Sequence, residues 1–160
     1  MLVDHKTWLR EHIGWWTLSL ALSSAHGNGV PLWNGARFWI DQPIQFDMKH
    51  PDLIKDVRAK LSHSTVVAVF NVRKDYSHDG ESPYMGRGIQ THYASGEEAS
   101  HAVVIVGEYK DDDLFEKLET VEPLWIYQNT DGDKQKSFLG NGLSVVKHSL
   151  IIEFHCAHVF

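Results

Sequence analysis

Ser100-His-Ala-Val-Val-Ile-Val-Gly107 is the stretch that decides the fold. Its middle is a run of β-branched and small apolar residues, which is the composition of a strand rather than of a helix. The apolar character continues to Tyr109, so a strand is predicted over His101–Tyr109. Downstream, Trp125-Ile-Tyr-Gln-Asn-Thr-Asp-Gly132 answers it: a second strand, Leu124–Gln128, ends on Asn129. One strand is headed by a histidine and the other is closed by an asparagine. Such a pair can form a general base with an amide to orient it, because the asparagine carbonyl accepts an imidazole N–H and fixes the tautomer and the ring plane. A base of this kind serves a nucleophile. The only cysteine in the chain, Cys156, comes after His101, and none precedes it.

On either side of these strands the pattern alternates between helical and extended periods. Thr65–Val72 (TVVAVFNV) is a β-branched strand. Before it, Pro51–Leu61 reads as a helix, with Pro51 in the first turn and Leu53, Ile54, Val57 and Leu61 in one apolar stripe. Earlier still, Trp8, Leu9, Ile13, Trp16 and Leu20 fall at helical spacing, which predicts a helix or two helical pieces over residues 4–25 that end in the turn-rich His26-Gly-Asn-Gly-Val-Pro31. Ala36–Ile40 reads as a short strand, and residues 73–100, polar and rich in glycine, as a long loop. After His101–Tyr109 come an acidic connector around Asp111-Asp-Asp113, the strand ending at Gln128, a Gly-rich turn, and strands Leu143–Lys147 and Leu150–Val159. Two helices followed by several strands with long loops make an α+β domain with a mostly antiparallel sheet.

At 160 residues the chain suits one domain, with about two-thirds of its unfolded surface buried on folding. A formal charge of −6 argues against general nucleic-acid binding, which needs a cationic face. One cysteine cannot form an intramolecular disulfide. No apolar run approaches the ~20 residues needed to cross a bilayer. Ile13–Leu22 followed by Ser-Ser-Ala25 has the length of a signal-peptide core, yet Asp4 and Glu11 beside Lys6 and Arg10 do not make the basic start that such a peptide needs. The compartment is left open.

In the order helix, strand, Gly-rich loop, His101-Ala-Val-Val-Ile-Val-Gly107, then Trp125-Ile-Tyr-Gln-Asn-Thr-Asp-Gly132 and Gly140-Asn-Gly-Leu143, the chain resembles the papain-like cysteine peptidases, and in particular their C-terminal, barrel-forming half. The likeness covers residues 36–160 and leaves 1–35 as an N-terminal helical segment within the same single domain. Tyr84-Met-Gly-Arg-Gly-Ile-Gln90 stands where that family has a Tyr-x-x-Gly-Ile-Tyr stretch before its histidine. The resemblance implies a papain-like barrel half, with His101 as catalytic base, Asn129 as the residue that orients it, and a peptide or protein as substrate or partner. It implies no cofactor and no metal. Family members work in vacuoles or lysosomes or outside the cell.

The chain departs from the family in three places. Gly14-Trp-Trp-Thr-Leu-Ser19 echoes the start of the helix that carries the nucleophile, which puts Trp15 at the position of the attacking thiol, and an indole cannot attack a carbonyl. The tryptophan that follows the asparagine by two positions in the family, and shields the Asn–His bond from water, is Asp131 here. The segment between His101 and Asn129 is longer than usual and acidic. Three functional readings follow. The first is a papain-like homologue that is inactive on its own, a pseudopeptidase or interaction module. The second is part of an active cysteine-type endopeptidase whose thiol comes from another chain or was lost by truncation. The third is an unrelated α+β binding protein in which His101 is a structural histidine and Asn129 a turn residue; it expects the two not to come within hydrogen-bonding reach. Cys156, in the middle of an apolar strand, reads as a small hydrophobe. His155-Cys-Ala-His158 is not expected to bind zinc, since alternation puts the two histidines on opposite faces. Gly86-Arg-Gly88 has no strand-to-helix frame to make it a phosphate cradle.

Overall fold

A computed structural model describes residues 18–129 and 132–157. In chain order these form helix α1 (Leu18–Asn28), strands β1 (Val30–Pro31), β2 (Arg37–Phe38) and β3 (Ile44–Gln45), helix α2 (Leu53–Leu61), strands β4 (Thr65–Asn71) and β5 (Ser100–Tyr109), helix α3 (Asp112–Leu118), strands β6 (Leu124–Gln128) and β7 (Leu143–Lys147), a 3-10 turn at His148–Leu150, and strand β8 (Ile151–Ala157). Strands β1 and β2 pair as a small hairpin. The other six make one sheet in the order β3-β8-β4-β5-β6-β7, and every neighbouring pair is antiparallel. The α+β class and the antiparallel sheet are therefore as the sequence pattern predicts.

The two faces of β5 follow from the period of two in its sequence. Val103 and Ile105 are buried on one face, and Ala102, Val104 and Val106 are exposed on the other. The buried face meets α2, whose Leu53 and Val57 join Val66, Ala68 and Phe70 of β4 in the core. Complete burial of Val57 contributes about 1.5–3 kcal/mol. Between Ile105 and Gly107 the register of β5 shifts, so Glu108 comes to oppose Trp125. There Glu108 takes a two-pronged pair of bonds from Arg58 of α2, at 2.7 and 2.6 Å. The guanidinium holds the Glu108 carboxyl below the usual carboxylate range.

Five expectations need correction. The sheet does not close into a barrel among the described residues. One edge is β3, only two residues long and preceded by Pro43, which has no N–H to offer a further strand. The other edge, β7, is occupied by the loop residue Tyr84, whose N–H donates to the Val145 carbonyl and whose carbonyl accepts from Lys147. The first helix continues past residue 25 to Asn28, where Gly29 stops it in the left-handed region (φ 68°). The part predicted over residues 4–17 lies outside the described residues. Among the described residues there are three helices and not two, because the acidic connector folds as α3. Ala36–Ile40 keeps only Arg37–Phe38 as strand, in the hairpin, while the last strand begins at Ile151 after the 3-10 turn.

Candidate functional site

Strand pairing brings the site together. Phe70 of β4 stands opposite His101, and Val104 of β5 stands opposite Gln128, so Asn129 leaves β6 beside the first turn of the pleat that carries His101. The alternation of β5 puts His101 on the same face as Val103, at the rim of the core, half-buried. Asn129 is 1% exposed. His101 Nε2 lies 3.4 Å from Asn129 Oδ1. The two residues singled out from the sequence therefore do meet.

Among the described residues, three further bonds fix the asparagine. Its side-chain N–H donates to the His78 carbonyl at 2.6 Å, its backbone N–H donates to the Gly142 carbonyl at 2.8 Å, and its own carbonyl accepts from Gln128 Nε2 at 3.2 Å. The first of these sets the chemistry. A backbone carbonyl can only accept, so the amide N–H must face His78 and the amide oxygen must face the imidazole. His101 then donates from Nε2, and its basic lone pair is on Nδ1.

Aromatic rings surround the imidazole. The Phe70 ring meets it edge-on at 5.7 Å, and Tyr76 lies tilted against it at 5.6 Å while also packing on the His78 ring at 5.6 Å. Behind them Tyr84 and Tyr127 complete the cluster. Burial is the main cause that raises the phenol pKa of both, so they stay neutral in the physiological range. The Tyr84 hydroxyl also ties the loop down: it donates to the Asn71 carbonyl and accepts from Arg73 N–H, each at 2.8 Å.

Tyr76 and His78 come from the loop after β4, a stretch that reads only as polar and glycine-rich. Nothing in its composition points to an aromatic cover or to a backbone acceptor. The predicted shield position, Asp131, lies outside the described residues, as do Trp15 and His158. Cys156 is buried in β8, paired with Ile44 and with Val66, on the far side of β4 from β5 and four residues along from the level of Phe70. From strand spacings it lies about 16 Å from His101, well beyond proton transfer. His155 is buried and its Nε2 meets Glu153 at 2.9 Å. Among the described residues no three His, Cys, Asp or Glu side chains gather to hold a metal, and no helix is long and apolar enough to cross a membrane. In the Gly86-Arg-Gly88 loop, a Cβ on Gly88 would meet the Asp75 backbone nitrogen at 2.8 Å, so that glycine serves close packing of the chain.

Fold and site together define an α+β protein with an open six-stranded antiparallel sheet and an oriented His–Asn pair at its rim. Neither the protein-family models nor the curated proteins give a match to the chain.

Proposed function

We propose that the chain is a homologue of the papain-like cysteine peptidases that keeps the base, His101, and its orienting residue, Asn129, and acts by binding a peptide or protein rather than by cleaving one. The observation that carries this reading is the Nε2–Oδ1 contact at 3.4 Å, with the amide turned by the His78 carbonyl. A histidine held in this tautomer carries its basic lone pair on Nδ1, the form of imidazole that activation of a thiol requires. The thiol itself is what the chain lacks in reach, since Cys156 is packed into the sheet elsewhere. An accidental likeness gives no reason for the two side chains to meet.

The test is an assay of the purified chain against generic peptide substrates under reducing conditions. No turnover is expected. Turnover that disappears in His101→Ala would overturn the proposal.

The preformed orientation of His101 also suits a second reading, in which the chain is one part of an active endopeptidase and the thiol is supplied by another chain or by a longer product of the same gene. It requires a co-purifying polypeptide, or an upstream extension, that carries a cysteine reactive to a thiol probe. Absence of both would set it aside.

A further inference from the structure

The loop after β4 is tied to the opposite side of the site by four hydrogen bonds that converge on three consecutive residues. Asn129 Nδ2 donates to the His78 carbonyl at 2.6 Å, and Asp133 N–H donates to Asp79 Oδ1 at 2.7 Å. Phe138 N–H and Ser144 Oγ both donate to the Gly80 carbonyl, at 2.7 and 2.9 Å. In this set Asp79 supplies the loop's one side-chain anchor. The loops approach backbone to backbone at this point. Gly132 is left-handed (φ 76°), and a Cβ on it would meet Asp79 Cα at 2.8 Å and collide with the His78 carbonyl oxygen. Lys136 Nζ, 3.9 Å from the Asp79 carboxylate and largely exposed, adds only a long contact.

We propose that Asp79 is a positioning residue for the His101–Asn129 pair: by accepting from Asp133 N–H it holds the His78 carbonyl against the Asn129 amide and so selects the Nε2–H tautomer of His101. The proposal rests on the reading of His101 as a base and adds what keeps it poised. The His78 carbonyl is what tells the two ends of the Asn129 amide apart. Once the loop is released, the amide can turn over and present its N–H to Nε2. The proton then moves to Nδ1, and the basic lone pair faces the asparagine.

The experiment is nitrogen-15 NMR of the His101 imidazole in the full chain, at a pH above the range in which ordinary histidines titrate. Wild type is expected to show a single Nε2–H species. Asp79→Ala is expected to lose it in favour of a mixture of tautomers. Asp79→Asn, whose Oδ1 still accepts, is expected to keep it. Asp111→Ala removes a helix cap far from the site, and is expected to lose stability with the His101 signal unchanged. The indole signal of Trp125 reports whether each variant is folded. An unchanged tautomer in folded Asp79→Ala would overturn the proposal, as would an equal change in Asp111→Ala or loss of the single species in Asp79→Asn. If Asp79→Ala does not fold, Gly132→Ala displaces the same loop from the other side, and an unchanged tautomer there overturns it equally. The tautomer is read without substrate, so this outcome stands apart from the peptide assay that tests the peptidase-like reading.

Discussion

Trp125 donates its indole N–H to His148 Nδ1 at 3.0 Å, and this bond is incompatible with a proton on that nitrogen. His148 is partly buried, stacked on the Phe154 ring at 6.0 Å, and burial is the main cause that lowers its pKa, against an opposing pull from Glu122. The sign follows directly. The unfolded chain takes up a proton here as pH falls below about 6.5, and the folded chain takes it up only at lower pH. The contribution of His148 to stability is therefore full above that value and declines as pH falls from it toward the folded pKa. Urea midpoints at pH 7.5 and pH 5 check this: His148→Phe should lose less stability between the two than wild type, and an equal or larger loss would exclude His148 as a source of the acid sensitivity. At this scale His101 and Asn129 were legible in the sequence, because a histidine before an apolar strand and an asparagine after one are local patterns. Tyr76, His78 and Asp79 were not. Their roles come from a loop folding back over more than fifty residues to Asn129 and Asp133, and a backbone carbonyl acceptor has no sequence signature.

Helix α3 shows how one composition supports two readings. Asp111-Asp-Asp113 suggests a solvated connector, yet acidic residues also favour the first turn of a helix. Here Asp111 caps it, with Oδ1 accepting from the N–H groups of Asp113 and Leu114 at 3.1 and 3.4 Å. The helix ends with Glu119 in the left-handed conformation (φ 53°, ψ 44°), where a side chain is disfavoured and glycine is at ease. Glu119→Gly is therefore expected to stabilise the protein by about 0.5–1 kcal/mol, measured by chemical denaturation, and a destabilised variant would show that the Glu119 side chain matters more than its backbone. Strands β6 and β7 match their predicted bounds residue for residue, since each is a short apolar run between turn signals. Closure into a barrel was not legible. It depends on which strands end as edges, and β3 proved too short and too close to Pro43 to continue the sheet.

In the whole molecule the sheet is held by long-range pairings, and Cys156 reports on the centre of them. It is 2% exposed on β8, between β3 and β4. A thiol so placed reacts only when the strand leaves the sheet. A soluble thiol reagent should therefore label the native protein about 1,000-fold or more slower than the urea-unfolded chain. Rapid labelling with the sheet intact would mean that β8 opens locally. The same burial separates Cys156 from His101: the protein has a histidine at one rim and a thiol inside the sheet, with β4 between them.

The place of β8 also has a consequence for how the protein is made. It is the last strand among the described residues, yet it pairs with β4, whose residues are synthesised 80 or more positions earlier. At ribosomal speeds of roughly 5–20 residues per second, β4 emerges about 5–15 s before its neighbour exists. For that interval one edge of Thr65–Asn71, an apolar β-branched strand, is unpaired on the growing chain and open to any other extended polypeptide. The nascent protein is thus at its most adhesive before β8 emerges, and a holdase that occupies Thr65–Asn71 until Ile151–Ala157 appears would guard the one step that the folded sheet makes invisible.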